Sequence, residues 1–320
     1  MNMKSLITSA LLLLALLLPA PATAYSFKYG GVDYTITGAN TVEVSTRQQT
    51  DPEYHGDVAI PATIDHKGIN FTVTAISDWA FWNCKDLMSV NIPSSVTCIG
   101  EAAFRDCSGL TSVNIPNSVT IIGERAFLNC SSLKSVTIPN TISTIGEMVF
   151  SGCSSLTSVT IPSSVTSIGR AAFYDCSGLT SVSIPNTVTS IGSGVFSYCN
   201  GLMDVYSYIT DLSGVSVERE AFLFDGDYSG RRLHVPQGTA AAYQADNHWY
   251  PYFGQIVEDL KPEHLPGDVN GDDEVNIADV NAVINIILEG NNPVVEADVN
   301  NDSEVNIADI NAIIDIILAG

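Results

Sequence analysis

One acidic twelve-residue segment occurs twice in the last part of the sequence. Residues 268–279 read DVNGDDEVNIAD and residues 298–309 read DVNNDSEVNIAD, so ten of the twelve letters agree. Counted from the first Asp, oxygen-bearing side chains stand at positions 1, 3, 5, 9 and 12, and position 7 adds its backbone carbonyl. Ca²⁺ takes six to eight oxygen ligands, and alternate positions of one loop supply them. The spacing therefore predicts two Ca²⁺ ions. The predicted ligands are Asp268, Asn270, Asp272, Glu274, Asn276 and Asp279 in the first copy and Asp298, Asn300, Asp302, Glu304, Asn306 and Asp309 in the second.

An apolar helix is predicted at the end of each acidic segment, with the sequences NIADVNAVINIILEG and NIADINAIIDIILAG. Without the ion, the carboxylates of each loop would repel one another, so we expect Ca²⁺ binding and folding to be coupled. Two short helices packed together cannot bury apolar residues all round, and the surplus is expected to face a partner. The predicted packing stripes are Val280, Val283, Ile284 and Ile287 in one helix and Ile310, Ile313, Ile314 and Ile317 in the other. The apolar residues outside these stripes are Ile286, Leu288, Ile316 and Leu318.

The duplicated loop and helix over residues 267–320 resemble the type I dockerin family. The resemblance implies a small all-α calcium-binding domain that docks onto a cohesin domain of a scaffold or cell-surface protein. Position 12 is Asp, whereas EF-hand loops carry Glu there. The resemblance also places the partner contacts at loop positions 10 and 11 and in the helix beyond. These residues are Ile277, Ala278, Ile284, Asn285, Ile307, Ala308, Ile314 and Asp315.

The charge of the chain is strongly and unevenly negative. The formal net charge is −22, and residues 267–320 contain eight Asp, four Glu and no Lys or Arg. Such a chain repels phosphate groups, which excludes non-specific binding to nucleic acid.

The beginning of the sequence has the pattern of a secretory signal peptide. Lys4 precedes an apolar run from Leu6 to Leu18, and Ala22-Thr23-Ala24 fits the small-residue cleavage rule. We therefore expect residues 1–24 to be removed, the mature chain to have no transmembrane segment, and the protein to be secreted, either extracellular or attached to a cell surface.

Most of the chain repeats with a period of 23 residues. Phenylalanines from Phe81 to Phe196 and cysteines from Cys84 to Cys199 keep this step, and one unit reads LTSVNIPNSVTIIGERAFLNCSS. Apolar and polar residues alternate in its first half, as in a strand, and Gly123 is expected to allow a turn. An unbroken period over several units predicts a solenoid, in which each coil buries its apolar face by stacking on the next.

The phrases IPxSVTxIGxxAFxxC and CSGLTSVxIP resemble bacterial BspA-like leucine-rich repeats. The predicted fold is mainly β: a leucine-rich-repeat solenoid of 23-residue coils, followed by the small all-α domain. The predicted segments are a signal peptide (1–24), an N-terminal β cap (25–80), the solenoid (81–203), a degenerate repeat with a C-terminal cap (204–256), a linker (257–266) and the dockerin (267–320).

Other reactive side chains give weaker indications. The ladder cysteines either form disulfides between coils or are buried free thiols. Parallel side chains about 4.8 Å apart favour free thiols, because a disulfide prefers closer Cβ atoms. Glu101, Glu124 and Glu147 recur at one coil position and predict an exposed edge mixed with Arg125 and Arg170, not the carboxylate pair of a glycosidase. We therefore expect no enzyme activity.

The outward side chains of the strands form a candidate ligand face for a protein or a glycan. An unused polar ladder is the alternative. The face consists of Ser112, Asn114, Ser135, Thr137, Ser158 and Thr160, and the same rows continue through Ser89, Asn91, Ser181 and Ser183. Aromatic residues that could stack on sugars are Trp79, Trp82, Tyr174 and Tyr198.

The features together favour a non-catalytic extracellular binding protein. In this hypothesis the solenoid presents a recognition surface while the dockerin attaches the chain to a cohesin of a polysaccharide-degrading complex. An adhesin for host or bacterial proteins is the alternative hypothesis, and a glycoside-active enzyme is a remote one.

Overall fold

The computed structural model describes residues 25–45, 54–260, 269, 275–289, 299 and 305–319. Within these residues the chain forms twenty β-strands, three α-helices and one 3₁₀ turn. The strands are β1 (Ser26–Tyr29), β2 (Val32–Ile36), β3 (Thr41–Val44), β4 (Gly56–Ala59), β5 (Thr63–His66), β6 (Ile69–Ile76), β7 (Leu87–Asn91), β8 (Cys98–Ile99), β9 (Ser112–Asn114), β10 (Ile121–Ile122), β11 (Ser135–Thr137), β12 (Thr144–Ile145), β13 (Ser158–Thr160), β14 (Ser167–Ile168), β15 (Ser181–Ile184), β16 (Ser190–Ile191), β17 (Asp204–Ser207), β18 (Ser216–Val217), β19 (Arg232–Pro236) and β20 (Gln255–Leu260). The 3₁₀ turn spans Leu212–Gly214, and the helices are α1 (Ala240–Ala245), α2 (Ile277–Glu289) and α3 (Ile307–Ala319). The predicted signal peptide and residues 261–266 of the predicted linker lie outside the described residues.

Each coil of the solenoid contributes one strand to each of two parallel ladders. The first ladder consists of β4, β7 and β9, and then of β11, β13, β15, β17, β19 and β20. The second consists of two-residue strands, of which β12, β14, β16 and β18 form one sheet. In β9, β11 and β13 the middle residue is buried and its two neighbours face solvent. The solenoid and its strand alternation are therefore confirmed.

A stack of phenylalanine rings runs through the core. The rings from Phe81 to Phe196 follow one another with centroids 5.0–5.5 Å apart and planes within 13° of parallel. Phe222 continues the stack at 5.5 Å, and the buried Trp249 closes it at 5.0 Å from Phe222. Each ring is covered by the coils on either side, which is why the coils fold as a stack.

The third side of each coil is a turn segment with its own ladder of backbone hydrogen bonds. The N–H of Phe104 donates to the carbonyl of Ala126 at 2.7 Å, and the N–H of Asp106 donates to that of Leu128 at 2.7 Å. Asp106 has a φ of 61°, a conformation that Asp, Asn and Gly tolerate best. The same coil position has positive φ in Asn83, Asn129, Gly152, Asp175 and Tyr198. This ladder was not among the sequence-based predictions.

The prediction that Gly123 allows a turn is wrong. Its φ is not positive, and a Cβ built on it would lie 2.5 Å from the backbone nitrogen of Glu101 and 2.5 Å from the carbonyl carbon of Gly100. Gly123 is therefore required because the backbone of the preceding coil passes directly against it. Gly192 has the same environment, with Arg170 N at 2.7 Å, whereas Gly146 has no such atom closer than 3.5 Å.

Both ends of the solenoid are covered. At the first end, β1, β2 and β3 form an antiparallel meander. Strand β3 pairs in parallel with β6, and β6 pairs in parallel with β8. At the other end, α1 buries Tyr243. The prediction of a linker is wrong for residues 257–260, because they belong to β20, which pairs with β19 and buries Leu260.

Candidate functional site

Each of the two C-terminal helices begins with the same reciprocal cap. Asn276 Oδ1 accepts a hydrogen bond from the N–H of Ala278 at 2.8 Å, and Asp279 Oδ2 accepts one from the N–H of Asn276 at 2.9 Å. This is a capping box, which satisfies two of the N–H groups left free at a helix start. The corresponding bonds at α3 are both 2.8 Å long and join Asn306, Ala308 and Asp309. Loop positions 9 and 12, predicted as calcium ligands, thus also form the helix caps.

Asp279 and Asp309 are completely buried. Asp279 Oδ1 also accepts a hydrogen bond at 2.7 Å from the N–H of Val269, which is position 2 of the same loop. Burial of a carboxylate is costly unless hydrogen bonds or a cation compensate its charge. Because residues 267–320 contain no Lys or Arg, the region supplies no cationic side chain of its own. This set of buried, acidic oxygen donors fits a hard divalent cation such as Ca²⁺.

The other predicted calcium ligands are not among the described residues. They are Asp268, Asn270, Asp272, Glu274, Asp298, Asn300, Asp302 and Glu304. In the described parts of the chain, no group of three His, Cys, Asp or Glu side chains is arranged to hold a metal ion.

Most of the predicted partner-binding residues are accessible. Ile277 is 68% exposed and its counterpart Ile307 is 72% exposed, which is unusual for isoleucine. Ala278, Asn285, Ile314 and Asp315 are exposed and Ala308 is half-buried. Ile284 differs, because it packs against the small cluster of Val280, Val283 and Ile313 that joins the helices.

The predicted packing stripes need a correction. Ile287, Ile314 and Ile317 were assigned to the stripes but are 39%, 38% and 37% exposed, whereas Ile286 packs against the cluster. Leu288 and Leu318 are more than three-quarters exposed. The helix pair thus buries fewer apolar residues than the stripes predict and leaves more of them free for contact.

The outward hydroxyls of the first ladder differ from the other hydroxyls of the coils. Elsewhere, Thr111 Oγ1 donates to the carbonyl of Met88 at 3.0 Å and Ser118 Oγ donates to that of Val96 at 2.7 Å, each in the preceding coil. We call the outward residues the polar lane. It consists of Asn91, Ser112, Asn114, Ser135, Thr137, Ser158, Thr160, Ser181 and Ser183. Among the described residues, no side chain of the polar lane has a hydrogen-bond partner, so their donors and acceptors are available to a ligand.

The polar lane ends at a rigid cluster that the sequence-based predictions missed. In register, Asp204 follows Ser181 and Tyr206 follows Ser183. Arg232 donates two hydrogen bonds to the carboxylate of Asp204, at 2.6 and 2.9 Å, and holds the pKa of that carboxyl below its usual range. Because Asp204 and Tyr206 each lie 23 residues beyond their counterparts, extending the period by one unit would have found them.

His234 follows Tyr206 in the same row and packs against its ring. Its ring lies 4.4 Å from the ring of Tyr206 and 17° from parallel. Its Nε2 is 3.1 Å from Oδ1 of Asp204, and its Nδ1 is 2.8 Å from Oδ2 of Asp259. Contacts from three strands therefore fix the orientation of the Tyr206 ring.

The cysteines serve the core of the solenoid. All seven are free thiols, and the six ladder cysteines are buried. The Sγ–H of Cys107 donates to the carbonyl of Phe81 at 2.9 Å, and that of Cys130 donates to Phe104 at 3.1 Å. Burial raises the pKa of the Cys130 thiol well above its usual value and raises the pKa of Cys153 to about 12. These groups are therefore poor nucleophiles.

The predicted edge of Glu and Arg residues forms an ion-pair network. Arg125 contacts Glu101 at 3.3 Å, Glu124 at 3.2 Å and Glu147 at 2.6 Å, and Arg170 contacts Glu147 at 2.7 Å. These contacts pair the carboxylates with guanidinium groups and place no carboxylate pair across a cleft.

The predicted aromatic residues lie on the turn side of the coils. Trp79 is half-buried under the guanidinium of Arg105, at 5.5 Å, and meets the exposed Trp82 edge-on at 6.0 Å. Tyr174 and Tyr198 lie 5.1 Å apart. In the described part of the chain, no helix has both the length and the apolar character to cross a membrane.

Comparison with known proteins identifies two regions. Residues 69–205 match the BspA type leucine rich repeat region in six copies, and residues 266–318 match the dockerin type I domain. The chain matches no curated protein.

Several solved structures are similar to the chain. A leucine rich repeat protein of T. pallidum is 30% identical, with 59% of this chain and 81% of that one covered and a TM-score of 0.48. A leucine rich cell surface protein of Faecalibacterium prausnitzii is 21% identical, with 76% and 97% covered and a TM-score of 0.37. A leucine-rich repeat protein of Bacteroides ovatus is 23% identical, with 73% and 76% covered and a TM-score of 0.30.

The parallel ladders, the repeated phenylalanines and the duplicated loop and helix agree with the two matched families. The chain carries a BspA-type leucine-rich repeat region, and a type I dockerin domain follows it.

Proposed function

We propose that this chain is a secreted, non-catalytic binding protein that docks onto a cohesin and presents its solenoid as a recognition surface. The observation that carries the proposal is the duplicated helix start. Asp279 and Asp309 are buried and cap the starts of two helices, and Ile277 and Ile307 are exposed at those helix starts. An exposed isoleucine at the same place in both copies is expected of a contact surface that works in two orientations.

The twelve predicted loop ligands would hold two Ca²⁺ ions, whose charge would offset that of the crowded carboxylates. The chain's own contribution is the capping box, which ties loop positions 9 and 12 to the helix start. Loop closure and helix formation are therefore one event, and the exposed isoleucines are ordered with it.

The solenoid supports a binding role rather than catalysis. The carboxylates of its Glu and Arg edge are paired with arginines, and its six ladder thiols are buried. The proposed setting is an extracellular complex that degrades polysaccharide.

The test is calorimetric binding of the full chain to type I cohesin domains. Binding is expected in Ca²⁺ and is expected to disappear in excess EDTA. Replacing both exposed isoleucines (Ile277→Asp with Ile307→Asp) is expected to weaken binding at least about tenfold, because a charge then meets an apolar partner surface in either orientation.

Ile121→Asp is the matched control, since Ile121 is 57% exposed and belongs to β10 of the solenoid, not to the helix pair. Equal binding in Ca²⁺ and in EDTA would contradict the proposal. So would a double variant that binds every cohesin as tightly as the control.

A further inference from the structure

The polar lane is long and uncharged, and its side chains have no hydrogen-bond partner within the described parts of the chain. Its rungs run from Asn91 to Tyr206 in steps of about 4.8 Å, which gives roughly 24 Å of surface. Asp57, which accepts a hydrogen bond from Ser89 at 2.5 Å, stands before the first rung, and Asp204 with Arg232 stands at the other end. Between them the lane contains only hydroxyl and amide side chains, with Lys134 at the border of one strand.

These properties restrict the chemistry of the ligand. Free hydroxyl and amide groups gain most from a ligand that both donates and accepts hydrogen bonds along its length. In a protein with a net charge of −22, an anionic polymer is repelled. A cationic polymer finds no carboxylate along the lane. The charge pattern therefore fits a neutral, hydroxyl-rich chain.

Tyr206 adds a stacking surface at the end of the lane. In register it lies between Ser183 and His234, and the His234 ring covers one of its faces. Ser183 stands on the other side in register, where no described aromatic ring packs on Tyr206. An aromatic face beside oriented polar groups suits a sugar ring, whose C–H groups pack on the aromatic ring while its hydroxyls form hydrogen bonds.

We propose that the polar lane binds an uncharged polysaccharide chain, with one sugar ring packed against Tyr206 and the following sugars bonded to the rows of Ser, Thr and Asn. The proposal rests on the proposed recognition role of the solenoid and names its ligand class. Asp204, Arg232 and His234 are positioning residues, because they fix the orientation of the Tyr206 ring before the ligand arrives.

The test is affinity electrophoresis of the full chain through gels that contain mixed-linkage β-glucan, galactomannan or polygalacturonate. At least one neutral polymer is expected to retard the protein, and the anionic polygalacturonate is not. Tyr206→Ala is expected to weaken retardation roughly tenfold by loss of the stacking surface. Thr137→Glu is expected to weaken it as much, because it places a charge in the middle of the lane.

Two matched controls separate the lane from the rest of the coil. Ser143→Glu places the same charge on an exposed residue of the second ladder side in the same coil. Tyr29→Ala removes an exposed tyrosine from β1, outside the lane. Both controls are expected to bind like the unchanged protein. Thr137 is exposed, so its variant keeps the test valid if Tyr206→Ala does not fold.

Retardation by polygalacturonate alone, or equal retardation of the lane variants and the controls, would overturn the proposal. So would the absence of retardation by both neutral polymers. Cohesin binding of the same preparations distinguishes the two proposals. If cohesin binds and no neutral polymer does, only the glycan assignment fails; if neutral polymers bind and cohesin does not, only the docking role fails.

Discussion

At the scale of single residues, the ladder cysteines are placed for packing rather than for reactivity. Each buried thiol from Cys107 to Cys199 donates to the carbonyl of a phenylalanine 26 residues earlier in the chain. The repeated phenylalanine and cysteine are thus parts of one contact, which explains why both keep the same period. Cys98 lies outside this series and is only half-buried.

We expect native protein to be almost unreactive toward a thiol reagent such as DTNB at pH 8. Burial raises the pKa of the Cys130 and Cys153 thiols, so their reactive thiolates are absent below those pKa values and form only as pH rises through them. At most one thiol, Cys98, is expected to react, and its rate should increase with pH because its pKa is also raised.

All seven thiols are expected to react in denaturant, and Cys98→Ser is expected to abolish the native reaction. Rapid native labelling of two or more thiols, located by peptide mapping, would show that the ladder is not closed as described.

At the scale of the elements, backbone distance between coils decides where glycine is needed. Gly123 and Gly192 face backbone atoms of the preceding coil at less than 3 Å from a built Cβ, whereas Gly146 occupies the same period with room to spare. Three glycines of one series therefore make different contributions, although the sequence presents them as equivalent.

Gly123→Ala is expected to lower the free energy of unfolding by about 1–3 kcal/mol, because the new methyl group forces neighbouring coils apart. Gly146→Ala is expected to change it by less than about 1 kcal/mol in either direction, since the methyl group fits and the unfolded chain loses entropy. Guanidinium unfolding of the two variants side by side measures the difference, and equal values would refute the close-approach argument.

The elements also show how far the sequence alone could lead. The period of Phe and Cys and the alternation in SVN or SVT predicted the coils, the first ladder and its outward rows. The turn-side ladder was missed because it depends on positive φ values at two positions of each coil, and only one of these positions carries mostly Asn, Asp or Gly. Gly123 was misread because the approach of another backbone has no local signal, and residues 257–260 were misread because charge and a nearby proline concealed a strand.

At the helices, the sequence predicted Asn276 and Asp279 as ligands and missed them as caps. Both copies contain the capping-box pattern, but the same residues also fit the calcium-ligand spacing, so their role as helix caps was overlooked. Ile287 was wrongly assigned to the packing stripe. Helical spacing predicts which face of a helix is apolar but not how much of that face the neighbouring helix covers.

At the scale of the whole molecule, the described residues contain two separate hydrophobic clusters. The larger one runs from Phe27 to Phe253 through every coil, and the smaller one joins α2 and α3 through Val280, Val283 and Ile313. The three fully or nearly fully buried residues of the smaller cluster give little stabilisation by themselves. We therefore expect the helix pair to be the part of the chain that depends on a bound ion.

Removal of Ca²⁺ with EDTA is expected to unfold the helix pair and leave the solenoid folded. Hydrogen exchange measured by mass spectrometry should show loss of protection in peptides from 275–289 and 305–319 and unchanged protection in peptides from 81–203. Addition of Ca²⁺ should restore the protected helices, because ion binding and helix formation are coupled. Helices that stay protected in EDTA would contradict the ion dependence.

The uniform phenylalanine stack has a consequence for how such a protein changes over generations. Since the coils from Phe81 to Phe196 place the same ring above and below, a gene that gains or loses one whole unit by recombination creates a junction across which the stack continues. The solenoid can then gain or lose one coil at a time, without a new type of interface and with both end caps unchanged.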